Sequence, residues 1–421
     1  PDTSKAELGH WWPQLLPDGK HLLFTAYRVP IEQATIEVVS LESGRRQVVV
    51  TGAVFGRYVS TGHLLYAVNE TIRAIPFDLN RFVVTGVAVN VVDSVAMNPS
   101  DGAAAFDVSE NGTLAYLPVS SFAPELDLVL VDRRGNERLA LPTADRYDNP
   151  RLSPDGGRIV VDIQSAVAPG DIWVFQIGRS SGTRITSGGG RNWGAEWTPD
   201  GQDLLYISER PLFEIYRRAS DGSRPAEPLV TREYDHVTGA VSQDGRFLAF
   251  VLSVRGAAEL WTVPLRGEPT PTRFLANGFN LAHPTLSPDG RWMAYDSDES
   301  SRVEVYMQSF PDPTIRRWKV SAAGGSEPIW TRGGRELVFR RGDSVMAVTV
   351  DLGSGQSGQP VPLFGGPYSD SPGWRKPRSY DASRDGERFL MLKLPPARTP
   401  RRVHVVLNWF EELERRVPVG R

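Results

Sequence analysis

An all-β fold, a β-propeller of four-stranded antiparallel blades with a short C-terminal helix, is expected from three features of this 421-residue chain. A short turn motif recurs nine times, each just ahead of a run of apolar and β-branched residues. Its closing glycines are Gly19, Gly62, Gly112, Gly156, Gly201, Gly245, Gly290, Gly334 and Gly386, spaced 43 to 52 residues apart. A period of about 40–45 residues marks one supersecondary unit copied many times, most often a propeller blade. Long helical periodicity is absent, and the aromatic content of 10% suits one or more buried rings per blade.

Residues 148–187 show the plan of one blade. Asn149-Pro150-Arg151-Leu152 is a short first strand. Ser153-Pro154-Asp155-Gly156 turns the chain, because Pro presets φ for a type I turn and Gly accepts the positive φ that ends it. Arg158–Ile163 is a β-branched second strand, Asp171–Ile177 the third and Thr183–Thr186 the outer fourth. The turns Thr198-Pro199-Asp200-Gly201, Ser242-Gln243-Asp244-Gly245 and Ser287-Pro288-Asp289-Gly290 open three further copies. Asn408-Trp409-Phe410-Glu411 reads as a helix start with Glu at its third position, and Pro418 stops the helix.

Eight or nine repeats fit a single propeller over residues 1–421. The last repeat supplies three strands, Tyr380–Ser383, Arg388–Leu392 and Val403–Leu407, and residues 1–9 are expected to complete it. The alternative assigns residues 1–147 to one propeller begun upstream and 148–421 to a second, six-bladed one.

Composition narrows the function. The net charge of -3 argues against nucleic-acid binding. Arginine makes up 42 of the 47 basic residues, which reads as a genomic bias. The absence of cysteine excludes disulfides, thiolate metal sites and a Cys nucleophile. No apolar run approaches the roughly 18–20 residues of a membrane helix. Pro1-Asp2-Thr3-Ser4 has neither an initiator Met nor a signal sequence, so targeting information is expected upstream of residue 1.

The repeat resembles the WD40-like, TolB-type β-propeller repeat of bacteria, with the motif P-x-[FWL]-[ST]-P-D-G-x-x-[IL]-[AV]-[FY]. The last third is similar to the C-terminal propeller of bacterial transmembrane serine/threonine protein kinases. The resemblance rests on Glu304–Pro311, Trp318–Ser321, Gly324–Trp330, Asp385–Leu390 and Val406–Leu413. It implies a sensor domain outside the cytoplasmic membrane, attached through a segment upstream of this chain. No Gly-rich loop with its Lys, no His-Arg-Asp and no Asp-Phe-Gly is present.

Two motifs mimic catalytic signatures. Gly178–Gly182 matches G-x-S-x-G but sits between two strands rather than before a helix. Gly353–Gly358 matches G-x-G-x-x-G but continues into the extended Gln359-Pro360-Val361-Pro362. The first reads as a hairpin turn and the second as a flexible inter-strand loop, and the glycosylation-like sequences at Asn69 and Asn111 read as ordinary turn residues.

Alignment on the turn motif gives one first-strand position to Trp12, Asn149, Gly194, Thr238, His283, Glu327 and Ser379. Two residues on come Gln14, Arg151, Glu196, Ala240, Thr285, Ile329 and Asp381. Core demands would make such positions uniformly apolar, so their polar variety points to a ligand-reading channel face. Trp193 and Trp374 are candidate aromatic anchors. The expected ligand set is Trp12, Gln14, Asn149, Arg151, Trp193, Glu196, His236, His283, Glu327 and Asp381. It serves a non-catalytic module that binds a protein, peptide or saccharide, with no cofactor. The alternative is a metal-assisted lyase or hydrolase whose metal is held by His10, His236 and His283. His21, His63 and His404 read as structural.

Overall fold

The computed structural model describes residues 7, 9–28, 31–98, 102–119, 125–164, 170–187, 190–209, 213–231, 236–254, 257–370, 377–395 and 402–419. Among these, nine antiparallel sheets form, one for each turn motif, with one α-helix at Trp409–Arg416. The fold is an all-β propeller type built from four-stranded sheets. The chain divides into two compact units. One holds residues 1–124, 165–169 and 397–421, and the other holds 125–164 and 170–396. Of residues 1–9, expected to complete the last repeat, 1–6 and 8 lie outside the described residues, and Gly9 opens the first strand of another sheet, opposite Tyr27.

Each turn forms for a local chemical reason. In Ser153–Gly156 the Ser153 hydroxyl donates to Asp155 Oδ1 at 2.5 Å. Its Oγ also accepts from the Arg158 amide at 2.8 Å, and Gly157 N–H donates to Asp155. The pattern repeats at Thr198, Ser242, Ser287 and Ser383. All nine closing glycines have positive φ, between 65° and 86°. A Cβ on Gly290 would meet nothing closer than Arg246 Nη2 at 3.7 Å. A Cβ there meets no clash, so its cost is conformational. Gly290→Val is expected to lower stability by about 1–2 kcal/mol, read as a lower melting temperature. An unchanged melt would refute this role for the glycine.

In the first unit, Gly9–Leu15, His21–Tyr27, Thr35–Ser40 and Arg46–Thr51 form one sheet in chain order. A second sheet comprises Val54–Val59, His63–Val68 and Thr71–Asp78, with Val83–Val84 and Val89–Val92 both against Thr71–Asp78. The third has only Phe106–Val108, Leu114–Tyr116 and His404–Val406. The strand at His404–Val406 was expected beside Arg388–Leu392, but it pairs with Leu114–Tyr116 instead. The reason is packing. Val406, Trp409 and Leu413 join a core with Phe106, Leu114 and Val95, and Trp409 N–H donates to the Gly112 carbonyl.

The second unit contains six sheets. Five follow the chain, with first strands Tyr147–Leu152, Asn192–Trp197, His236–Val241, Leu281–Leu286 and Ser326–Thr331. The sixth is composite. Its order is Glu137–Leu139, Asp127–Asp132, Arg388–Lys393, Tyr380–Ala382, so the two ends of the unit share one sheet. Successive first strands lie side by side, and Tyr380–Ala382 touches both Ser326–Thr331 and Tyr147–Leu152. The six sheets therefore close a cycle, with apolar clusters between neighbouring faces.

Candidate functional site: the channel of the six-sheet unit

A β-bulge interrupts the first strand of most sheets, at the position that alignment of the repeats picks out. In the second unit the register shifts between Asp148 and Arg151, Trp193 and Glu196, Thr238 and Ala240, Ala282 and Thr285, and Ser326 and Ile329. Asn149, Gly194, His283 and Glu327 sit in these bulges with φ of 51°, 69°, 48° and 57°. Trp12 and Phe55 do the same in the first unit. A non-glycine residue in this region costs on the order of 1–3 kcal/mol and persists only where its surroundings dictate it. Bulges re-aim side chains.

The neighbours dictate it here. Gly194 N–H donates to Asp162 Oδ2 at 2.8 Å. His283 Nδ1 lies 2.9 Å from Asp296 Oδ1. Glu327 Oε2 accepts from the Ser379 amide at 2.5 Å and from its hydroxyl at 2.8 Å. The Tyr380 hydroxyl donates to the Glu327 carbonyl at 3.0 Å. Burial works against a charged His283, but the Asp296 carboxylate outweighs it and raises the imidazole pKa. Burial also holds Asp162 well above the usual carboxylate range, and the Asp148 charge adds to this.

Two residues past the bulges, side chains from all six sheets meet. Arg151, Glu196, Ala240, Thr285, Ile329 and Asp381 line one cavity of about 350 Å³. The turns Ser153–Gly156 and Ser383–Asp385, with Arg384 and Arg388, also contribute to its wall. Arg151 is the hub. Its Nε donates to Glu196 Oε1 at 2.6 Å, and its Nη1 donates to the carbonyls of Pro150 and Arg378 at 2.9 and 3.0 Å. Asp381 Oδ2 accepts from Leu152 N–H at 2.8 Å, and burial raises its pKa. Burial opposes the Arg151 charge, yet Glu196 and Asp381 hold its pKa above the ordinary value. Among the described residues, buried polar atoms without a protein hydrogen-bond partner include both amide atoms of Asn149, Arg151 Nη2, Asp162 Oδ1 and Arg378 Nε.

The structure thus brings together Arg151, Glu196 and Asp381 from the expected set, with Asn149, His283 and Glu327 in the bulges of three sheets. Trp193 is 8% exposed and packs among Leu205, Ile207 and Ile215 in a core cluster, so it presents no free ring. Trp12 and Gln14 belong to the first unit. Trp12 packs against Phe55, and Gln14 exchanges two hydrogen bonds with the Tyr58 backbone. The side chain of His236 and all of Trp374 lie outside the described residues. His10 is in the first unit, paired with Glu7, whereas His283 is in the second, paired with Asp296. Among the described residues no group of three or more His, Asp or Glu side chains is arranged to hold a metal. Gly178 lies in a turn between Asp171–Gln176 and Gly182–Arg184, as expected for a hairpin.

Sequence reasoning missed Arg378, Asp162 and Asp296. The two aspartates did carry a signal. Each is the fifth residue of a second strand, Arg158–Ile163 or Trp292–Ser297, and follows three buried apolar or aromatic residues. Arg378 carried none.

No protein-family model matches the chain. An uncharacterized protein of Agrobacterium fabrum is 22% identical over 277 residues, which is 62% of this chain and 88% of that protein. A solved structure assigned as TolB from Agrobacterium tumefaciens superposes with a TM-score of 0.52 at 17% identity. It covers 65% of this chain and 99% of its own. TolB from Acinetobacter baumannii gives a TM-score of 0.44 at 15% identity, over 80% of this chain and 79% of its own. Among the described residues no helix is long and apolar enough to cross a membrane. At 17% identity the likeness to the Agrobacterium tumefaciens structure is one of architecture: the chain has the TolB-type β-propeller fold.

Proposed function

We propose that this chain is a non-catalytic recognition module that binds a protein, peptide or saccharide at the channel of its six-sheet unit. It works outside the cytoplasmic membrane, as the sensor domain of a receptor serine/threonine kinase or as a TolB-like envelope scaffold. One observation carries the reading. Six equivalent positions on six sheets converge on one cavity with six different side chains, Arg151, Glu196, Ala240, Thr285, Ile329 and Asp381. A purely structural channel has no need of that variety. The charged members are buried and cross-linked, so they offer pre-organised rather than mobile contacts. Specificity of this kind resides in a site grafted onto a rigid fold.

Thermal-shift and calorimetric titration with panels of peptides and oligosaccharides tests the proposal. The wild-type chain is expected to bind at least one class saturably and to melt higher with it. Thr285→Phe, which fills part of the cavity, is expected to abolish that binding while leaving the unliganded melt nearly unchanged. Binding that survives Thr285→Phe, or turnover of the bound molecule, would overturn it.

A further inference from the structure

The third sheet of the first unit ends on an apolar edge. Seven of the nine sheets hold four strands and one holds five, but this one stops at three, with His404–Val406 outermost. Among the described residues no strand covers its outer edge. Val403, Val405 and Leu407 are 58%, 58% and 70% exposed. Val406, of opposite parity, packs into the core against which the helix lies. Soluble proteins usually blunt such an edge with Lys, Pro or a bulge, and Val403–Leu407 contains neither Lys nor Pro. The flanks carry opposite charges. Arg402 precedes the strand, and Glu411 and Glu412 follow it in the first helical turn. Arg402 and Glu411 are both exposed.

We propose that this edge pairs antiparallel with the same edge of a second copy of the chain, about a twofold axis through Val405. In that register Val403 faces Leu407 of the other copy, and Val405 faces its own equivalent. Arg402 of each copy approaches the helix start bearing Glu411 in the other. A parallel arrangement would oppose like charges, so the flanks select the antiparallel one. The interface is isologous and closes at two copies, with backbone hydrogen bonds as its main glue. The edge is short, so the dimer is weak and exchanges with the single chain.

Sedimentation equilibrium of the full chain, from micromolar to near-millimolar concentration, tests this. The weight-average mass is expected to rise from that of one chain toward two. Val405→Lys, at an exposed site, is expected to stay at one chain mass with an unchanged melt. Arg402→Glu should weaken association at least tenfold, and Arg402→Glu combined with Glu411→Arg should restore it. The charge-swap pair decides the matter if Val405→Lys proves unstable. A constant single-chain mass, a dimer indifferent to these substitutions, or growth beyond two copies would each overturn the proposal.

Discussion

Replacing Glu196 by leucine is expected to destabilise the six-sheet unit by about 3–5 kcal/mol, among the largest effects of any single substitution in this chain. The Arg151 side chain is 2% exposed, and among the described residues it forms its ion pair with Glu196, at 2.6 Å. Arg378 leans on the same carboxylate oxygen at 3.4 Å. With Glu196 gone, two buried guanidiniums lose the carboxylate they share, and the neighbouring Asp381 is already committed to the Leu152 amide. A buried charge stripped of its partner costs far more than the pair contributed, because desolvation is no longer offset. The double variant Arg151→Met/Glu196→Leu removes both charges and fills similar volume. It is expected to recover most of the loss. Urea denaturation followed by tryptophan fluorescence reads both effects. A loss below about 1 kcal/mol for the single variant, typical of an exposed pair, would show that water reaches Arg151. A double variant as unstable as the single one would show that packing, not charge, is at stake.

That pair also shows how far the site is legible in the chain. The turn Ser153–Gly156 announces itself because its hydrogen bonds are local, between residues two to five apart. Once the turns fix the register, counting along the repeat leads to Arg151, Glu196 and Asp381. What counting cannot supply is conformation. Nothing in the chain marks Glu327 as a left-handed residue, and the strain at His283 and Glu327 is held by partners elsewhere in the unit, Asp296 and Ser379. Arg378 is illegible for the same reason. It lies outside any strand and matters only because its carbonyl and guanidinium meet Arg151 and Glu196. The histidine set rested on a different assumption, and the side chain of His236 lies outside the described residues. Equivalent loops gather only within one ring, and His10 and His283 belong to different compact units.

The other large effect concerns how the six sheets close. Residues 125–396 produced alone are expected to unfold in a single cooperative transition, whereas residues 140–396 are expected not to fold. The difference is the segment containing Asp127–Asp132, which sits between Glu137–Leu139 and Arg388–Lys393. Both of its faces are buried. Leu128 and Leu130 pack with Tyr147, Leu152 and Leu390, while Val129 and Val131 pack with Ile329, Tyr380 and Phe389. Burial of these four side chains contributes about 6–12 kcal/mol at 1.5–3 kcal/mol each. That is comparable to the whole stability of a typical domain. Removing the strand also bares the backbone edge of Arg388–Lys393 and leaves two cores open. The sequence could not reveal this pairing, because Leu128 and Leu392 are matched across most of the unit with no local signal between them. A full-length variant provides the control against fragment artefacts. Leu128→Asp buries a carboxylate at a site that is 0% exposed, and it should lower the melting of the six-sheet unit as severely as removing the strand. If residues 140–396 melt as cooperatively as 125–396, the composite sheet is not what holds the cycle shut, and the five consecutive sheets are self-sufficient.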